Sequence, residues 1–256
     1  MTATAPALTV EDVWRSFGGV KAVNGCSFTV ADKSITGLVG PNGAGKSTMI
    51  NLISGLLKPE RGSIRLGGTD ITGLPMYKIS NAGLIRTFQV AREWPKLTVL
   101  ENVLAAAPAG RREAVWRGVL ARRALHREDV ALEERARGII GRLRLSAMAD
   151  SPASSLSGGQ KRLLEFARIA MVAPKVVLLD EPLAGVNPVL GEELGTAIQT
   201  LRGSGSTVLL IEHNLGFVDR FCDTVVVMAA GSVIGRGSMS DLRQNPEVVE
   251  AYLGQT

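Results

Sequence analysis

Aromatic side chains make up only 4% of this 256-residue chain, too few for the rows of stacking platforms that single-stranded nucleic acids require. Cysteine is scarcer still. Cys26 and Cys222 stand far apart, without metal-ligand spacing, so neither a disulfide framework nor a zinc site has support. Reduced thiols in a cytosolic protein are the simplest reading of the pair. No apolar run approaches the roughly 20 residues needed to cross a bilayer; the longest are VVLL at 176–179, TVLLI at 207–211 and TVVVMAA at 224–230. Any transmembrane path is therefore expected on a partner chain. The opening MTATAPALTVED lacks the basic and long apolar regions of a secretory signal, which predicts a cytoplasmic location. Neither sign of charge dominates: 29 Lys and Arg against 24 Asp and Glu leave a net +5, compatible with nucleotides, an anionic membrane or nucleic acid and selecting none of them. Fixed-period repeats and low-complexity tracts are also missing.

What the chain does have is hydrophobic content of 45%, enough for a full core. Short apolar runs bounded by Gly, Asn or Asp alternate with stretches of helical period, the pattern of an α/β sheet with crossover helices. Strands are predicted at 8–13, 25–30, 34–39, 62–66, 176–179 and 207–211, with a hairpin over 224–235 turned by Ala230-Gly231. Helices are predicted at 46–56, 160–172, 188–201, 214–221 and 241–253. Between Leu97 and Leu145 the composition shifts to Arg, Ala, Glu and Leu and strand-like runs vanish, marking an inserted helical subdomain. Its Arg-rich middle, GRREAVWRGVLARRALHRED, carries interspersed acids and reads as a solvated helix face rather than a nucleic-acid arm, with His126 facing solvent.

Two motifs carry chemistry. Gly40, Pro41, Asn42, Gly43, Ala44, Gly45, Lys46, Ser47 and Thr48 fit G-x-x-x-x-G-K-[ST], directly after the apolar ITGLV and before the helical TMINLISGLL. Glycines there let successive backbone N–H groups face phosphates, Lys46 reaches the β and γ phosphates of ATP, and Ser47 can ligate Mg²⁺. The run VVLL ends in Asp180 and Glu181 at the carboxyl edge of a strand, where open parallel sheets bind ligands. Asp180 suits an Mg²⁺ water shell, and Glu181, differently aimed, suits proton abstraction from an attacking water.

Leu156, Ser157, Gly158, Gly159 and Gln160 spell LSGGQ ahead of the helical KRLLEFARIAMVA. With the two motifs above, the chain resembles the nucleotide-binding subunits of ABC transporters over nearly its whole length. The resemblance implies a P-loop NTPase (RecA-like) α/β core with an antiparallel β subdomain, from residues 1–89 and 160–256, and an inserted α-helical subdomain at about 90–159. It implies that Ser157–Gln160 of one subunit meet the ATP held by another, so that two subunits close head to tail on two nucleotides. Phe17 in RSFGG resembles the aromatic that stacks on adenine, with a core Phe as the other reading. Gln89 in IRTFQV resembles the glutamine that touches Mg²⁺ and the attacking water, and His213 in LLIEH the histidine that contacts the γ-phosphate. In AGVNP, Asn187 stands where most of the family has Asp.

One branch is closer: GPNGAGKST, RTFQ followed by LTVLENV, LLDEPLAGVNP and NPEVVEAYLG resemble the ATPases of branched-chain amino-acid importers and their relatives for urea and amides. That implies a homodimer, or a heterodimer with a related ATPase, peripheral on the cytoplasmic face of the inner membrane, coupled to permease subunits and indirectly to a periplasmic binding protein. Arg92, Trp94 and Leu97 are the expected permease contacts, Trp94 alternatively being packed within the subdomain. A soluble ABC ATPase acting on nucleic acid or ribosomes is the rival, disfavoured by the single cassette and by the lack of heptads between Lys46 and Ser157. A non-catalytic regulatory subunit would not be expected to keep Lys46, Gln89, Asp180, Glu181 and His213 together.

Overall fold

The computed structural model describes residues 5–87, 93–108 and 122–253. They divide into two compact units, one drawn from 1–89, 174–185 and 205–256, the other from 90–173 and 186–204.

The first unit contains two sheets. Strands β1 (Leu8–Phe17), β2 (Val20–Val30), β4 (Arg61–Leu66) and β5 (Thr69–Asp70) pair antiparallel in the order β2-β1-β4-β5. The second sheet runs β10-β9-β3-β8-β7-β6, built from β3 (Ile35–Val39), β6 (Leu84–Arg86), β7 (Val176–Asp180), β8 (Thr207–Ile211), β9 (Thr224–Ala229) and β10 (Ser232–Gly237). Its pairings are parallel except that of the edge strand β10. Strands covered on both faces need apolar residues throughout, and every residue of β3 and β8 is buried. Alternation then distributes side chains between two cores: in β9, Val226 and Met228 join Leu38, Met49 and Ile211, while Val225 and Val227 join Val39, Val218 and Leu242.

Helix α1 (Lys46–Ile53) buries Met49, Ile50, Leu52 and Ile53, the inward stripe of a 3.6-residue period. It stops short of the expected Leu56 because Gly55 turns left-handed at φ 78°, where a Cβ would lie 2.4 Å from the Leu74 carbonyl oxygen. The hairpin at Ala230-Gly231 forms as expected, with φ 46° and 81°, the left-handed pair that matches strand twist. A second hairpin of the same kind turns at Gly18-Gly19 and extends β1 and β2 beyond their expected ends. Helix α2 (Met76–Ala82) and the three-residue β6 were not legible as elements, whereas α7 (Leu215–Phe221) was. The expected helix over 241–253 is two, α8 (Met239–Leu242) and α9 (Pro246–Leu253), because Pro246 lacks an N–H and steers Asn245 out of helical geometry.

The second unit holds α3 (Val99–Ala105), α4 (Arg122–Arg142), α5 (Gly158–Val172) and α6 (Pro188–Gly203), with α5 packed against the other three. The composition shift marks 97–145 as helical subdomain and the family resemblance about 90–159, yet α5 and α6 also belong to this unit. Trp94 is 43% exposed with the Arg168 guanidinium 4.1 Å from its ring centre. Buried Asn102 holds the adjoining loop by accepting from the Trp94 N–H and donating to the Trp94 and Thr98 carbonyls. Arg92, most of the Arg-rich run and the side chain of His126 lie outside the described residues. Among those residues, no helix is long and apolar enough to cross a membrane.

Candidate functional site

The loop between β3 and α1 is shaped by backbone that crowds it. Gly40 has φ 151° and its Cβ position lies 2.0 Å from the Met228 carbonyl oxygen; Gly45 has φ 96° and its Cβ position lies 2.2 Å from that of Ala22. Only glycine passes at either point. The Ala230-Gly231 turn is stitched alongside: the Gly231 N–H donates to the Ala44 carbonyl at 3.1 Å, and the Asn24 N–H donates to the Gly231 carbonyl at 2.8 Å. Lys46, only 5% exposed, folds back so that Nζ donates to the Gly40 and Pro41 carbonyls at 2.7 and 2.8 Å. Burial pulls its pKa below the usual lysine value, against the opposing field of Glu181.

An open cavity of about 460 Å³ lies over this loop, lined by Asn42 to Thr48, by Val20, Lys21 and Ala22, by Glu181 and His213, and by Ala230. Residues more than a hundred positions apart thus face one space. Parallel pairing of β7 with β8 sets Asp180 opposite Ile211, which brings the segments after both strands together at the carboxyl edge. Glu181 adopts φ 48°, costly for a residue with a Cβ, and is held there by its N–H to the Ile211 carbonyl at 3.0 Å. Its Oε1 lies 2.7 Å from His213 Nε2.

Two further residues were not singled out from the sequence. Arg86, at the end of β6, donates to Asp180 Oδ2 at 2.8 Å, to Asn51 Oδ1 at 2.6 Å and to Ser54 Oγ at 3.1 Å. It therefore ties Asp180 to the far end of α1. Glu212, 4% exposed, accepts the Leu183 N–H at 2.8 Å and the His213 N–H at 3.2 Å, and burial raises its carboxyl pKa against those two bonds and a third from the Asn214 backbone. Both lie in strings that were quoted for their neighbours, IRTFQV and LLIEH, and only tertiary pairing reveals them.

Phe17 is 44% exposed and stands outside the cavity lining, with the Arg15 guanidinium 4.9 Å from its ring centre. Gln89 lies outside the described residues. Ser157 to Gln160 belong to the second unit, where Ser157 and Gln160 cap α5 reciprocally: Ser157 Oγ accepts the Gln160 N–H at 3.3 Å and Gln160 Oε1 accepts the Ser157 N–H at 2.9 Å. Gly159 is pressed by Leu190, 2.8 Å from its Cβ position, whereas the Cβ position of Gly158 meets nothing within 4 Å among the described residues. Asn187 caps α6 by accepting the Leu190 N–H at 2.9 Å. Asn and Asp cap equally well, so the departure from Asp keeps this local role.

The donor set suits a small hard cation. Ser47 is exposed on the cavity, Asp180 stands outside its lining with Oδ2 on Arg86, and Mg²⁺ is commonly held by one or two such oxygens together with phosphate and water. Among the described residues, no group of three or more His, Cys, Asp or Glu could hold a metal alone.

A family model described as "ABC transporter" matches residues 23–184. The chain is 42% identical to a probable branched-chain amino acid transport ATP-binding protein of Archaeoglobus fulgidus, over 96% of this chain and 95% of that one. It is 38% identical to a high-affinity branched-chain amino acid transport ATP-binding protein of Pseudomonas aeruginosa, over 98% of each. Among solved structures, the ADP conformation of an ATP-binding cassette of an ABC transporter superposes with a TM-score of 0.79 at 34% identity, covering 98% of this chain and 100% of that one.

Proposed function

Because the chain belongs to the ABC transporter family of ATP-binding cassettes, we propose that it is the ATP-hydrolysing subunit of an importer for branched-chain amino acids. The observation that carries the reading is the convergence of Lys46, Ser47, Glu181 and His213 on one cavity above a glycine loop. The relatives' names supply the solute class.

In this reading the amides of Gly43 to Ser47 and the N-terminus of α1 bind the β and γ phosphates, and Lys46 exchanges its two carbonyl partners for phosphate oxygens. Phe17, stacked on one side by Arg15, offers its other side to adenine. Mg²⁺, when bound, would be held by Ser47, Gln89 and the water shell of Asp180, and would neutralise charge on the phosphates. Glu181 takes the proton from the attacking water. His213 orients Glu181 through the 2.7 Å contact and then faces the γ-phosphate. Such catalysis is mostly positioning and electrostatics.

Ser157, Gly158 and Gly159 serve the nucleotide of a second ATPase subunit, identical or related. The open space over Gly158 supports this, since nothing among the described residues requires a glycine there. The assembly sits on the cytoplasmic face of the membrane against permease subunits, with Trp94 and Leu97 among the contacts and a periplasmic binding protein delivering solute.

The test is single-turnover hydrolysis by Glu181→Gln. ATP binding should persist while turnover falls by roughly 10²–10⁴; hydrolysis at the wild-type rate would remove Glu181 as base. Deletion of the chain should abolish uptake of leucine, isoleucine or valine by its host, and intact uptake of all three would overturn the solute assignment.

A further inference from the structure

Glu212 takes no part in the chemistry proposed above, yet it is buried at the point where both halves of the Glu181–His213 pair begin. We infer that Glu212 is a positioning residue that holds Glu181 and His213 in register by anchoring the backbone on each side of their contact.

The geometry is specific. One carboxylate oxygen accepts the N–H of Leu183, two residues past Glu181, and the other accepts the N–H of His213 itself. Both oxygens are committed to backbone donors, Leu183 from the segment that follows β7, and His213 and Asn214 from the segment that follows β8. Glu181 sits in a left-handed conformation, so its carboxylate direction depends on what fixes the residues after it. The Ala184 N–H to Glu181 carbonyl bond at 3.0 Å closes a turn around Leu183, whose own N–H is the one Glu212 holds. An isolated strand end needs no acid here: β8 is complete at Ile211, and burying a carboxylate beyond it is costly unless each oxygen is satisfied. A single buried carboxyl group shared by two backbone segments makes their separation a fixed quantity rather than the outcome of two independent loops.

Glu212→Gln keeps the size and replaces one acceptor with an NH₂ that faces a backbone donor, so one of the two anchors is lost. Glu212→Asp keeps two acceptors on a shorter stem. The inference rests on the ATPase reading, and the experiment separates the two. The full chain, with ring ¹⁵N-labelled histidine, is examined for the His213 ring nitrogens and for ATP turnover. His213 and His126 are the two histidines, and a His126→Gln control assigns the signals.

In Glu212→Gln the His213 Nε2 resonance should move toward that of Glu181→Gln, where the pair is broken. Turnover should fall about 10-fold to 100-fold, the scale of a small misplacement of catalytic groups, with KM for ATP within about twofold of wild type. Glu212→Asp should recover part of both. If Glu212→Gln does not fold, Glu212→Asp alone should show the two readouts shifting together. Wild-type turnover in Glu212→Gln, or lost turnover with an unmoved His213 signal, would overturn the inference. A wild-type chain that hydrolyses no ATP would instead overturn the reading of function, and the His213 signal would still report on the anchor.

Discussion

Replacing Arg86 by Met should destabilise the first unit more than any exposed substitution. The Arg86 and Asp180 side chains are 10% and 15% exposed, and the same guanidinium serves Asn51 and Ser54. Removing one member of a largely buried pair leaves an uncompensated charge, a loss of about 3–5 kcal/mol. The two neutral acceptors add about 1 kcal/mol each where water does not replace the lost donor. With a urea slope of about 2.5 kcal/mol per molar, the midpoint should drop by about 1.2–2.8 M. Trp14 lies in β1, so a chain with Trp94 and Trp116 changed to Phe reports by fluorescence on the unit that contains the pair. Asp180→Asn combined with Arg86→Met should recover about 2–3 kcal/mol of the loss, the sign of a coupled pair. A midpoint within about 0.4 M of the parent, or strictly additive single losses, would refute the argument.

Three further outcomes follow from the geometry. Gly40→Ala and Gly45→Ala should abolish ATP binding, because each Cβ would run into a carbonyl oxygen, while Gly43→Ala, at φ 78° in open space, should lose only about 1–2 kcal/mol; equilibrium dialysis with ATP and thermal unfolding distinguish them. Asn187→Asp should leave stability unchanged and Asn187→Ala should lower it by about 0.5–2 kcal/mol, measured by urea unfolding. Burial pushes the Cys26 thiol up to about 11 and the Cys222 thiol up to about 12. Since thiolate is the reactive form and raising the pKa depletes it below that value, iodoacetamide at pH 8 should label both hundreds-fold or more slowly than an ordinary thiol near pKa 8.5; fast labelling of the folded chain would contradict the burial.

The phosphate loop and the strand ending in Asp180 and Glu181 were legible because each is a local string whose chemistry and secondary structure coincide. Arg86 and Glu212 were not, since their partners lie 94 and 29 residues away and neither residue type announces a partner. The same holds for α5 and α6: an apolar helical face declares that it packs, not which body it packs into. Some misses left a trace. Thr98 and Glu101 form a reciprocal cap that starts α3, a T-x-x-E signature readable in LTVLENV, and Pro246 marks the break between α8 and α9. The extension of β1 past Val13 left none, because the register shifts there hide the alternation.

The stitching of the nucleotide loop to the turn at Gly231 bears on how the protein is made. Gly40 finds its shape against the Met228 carbonyl, the Gly231 N–H holds the Ala44 carbonyl, and the strand feeding the loop pairs with neighbours from 207–211 and 224–229. A ribosome must therefore release the chain through Gly231 before the cradle at 40–48 can close. Until then the nascent protein carries a glycine-rich segment with no walls, and newly made subunits become competent for nucleotide only once β9 and the turn after it have emerged.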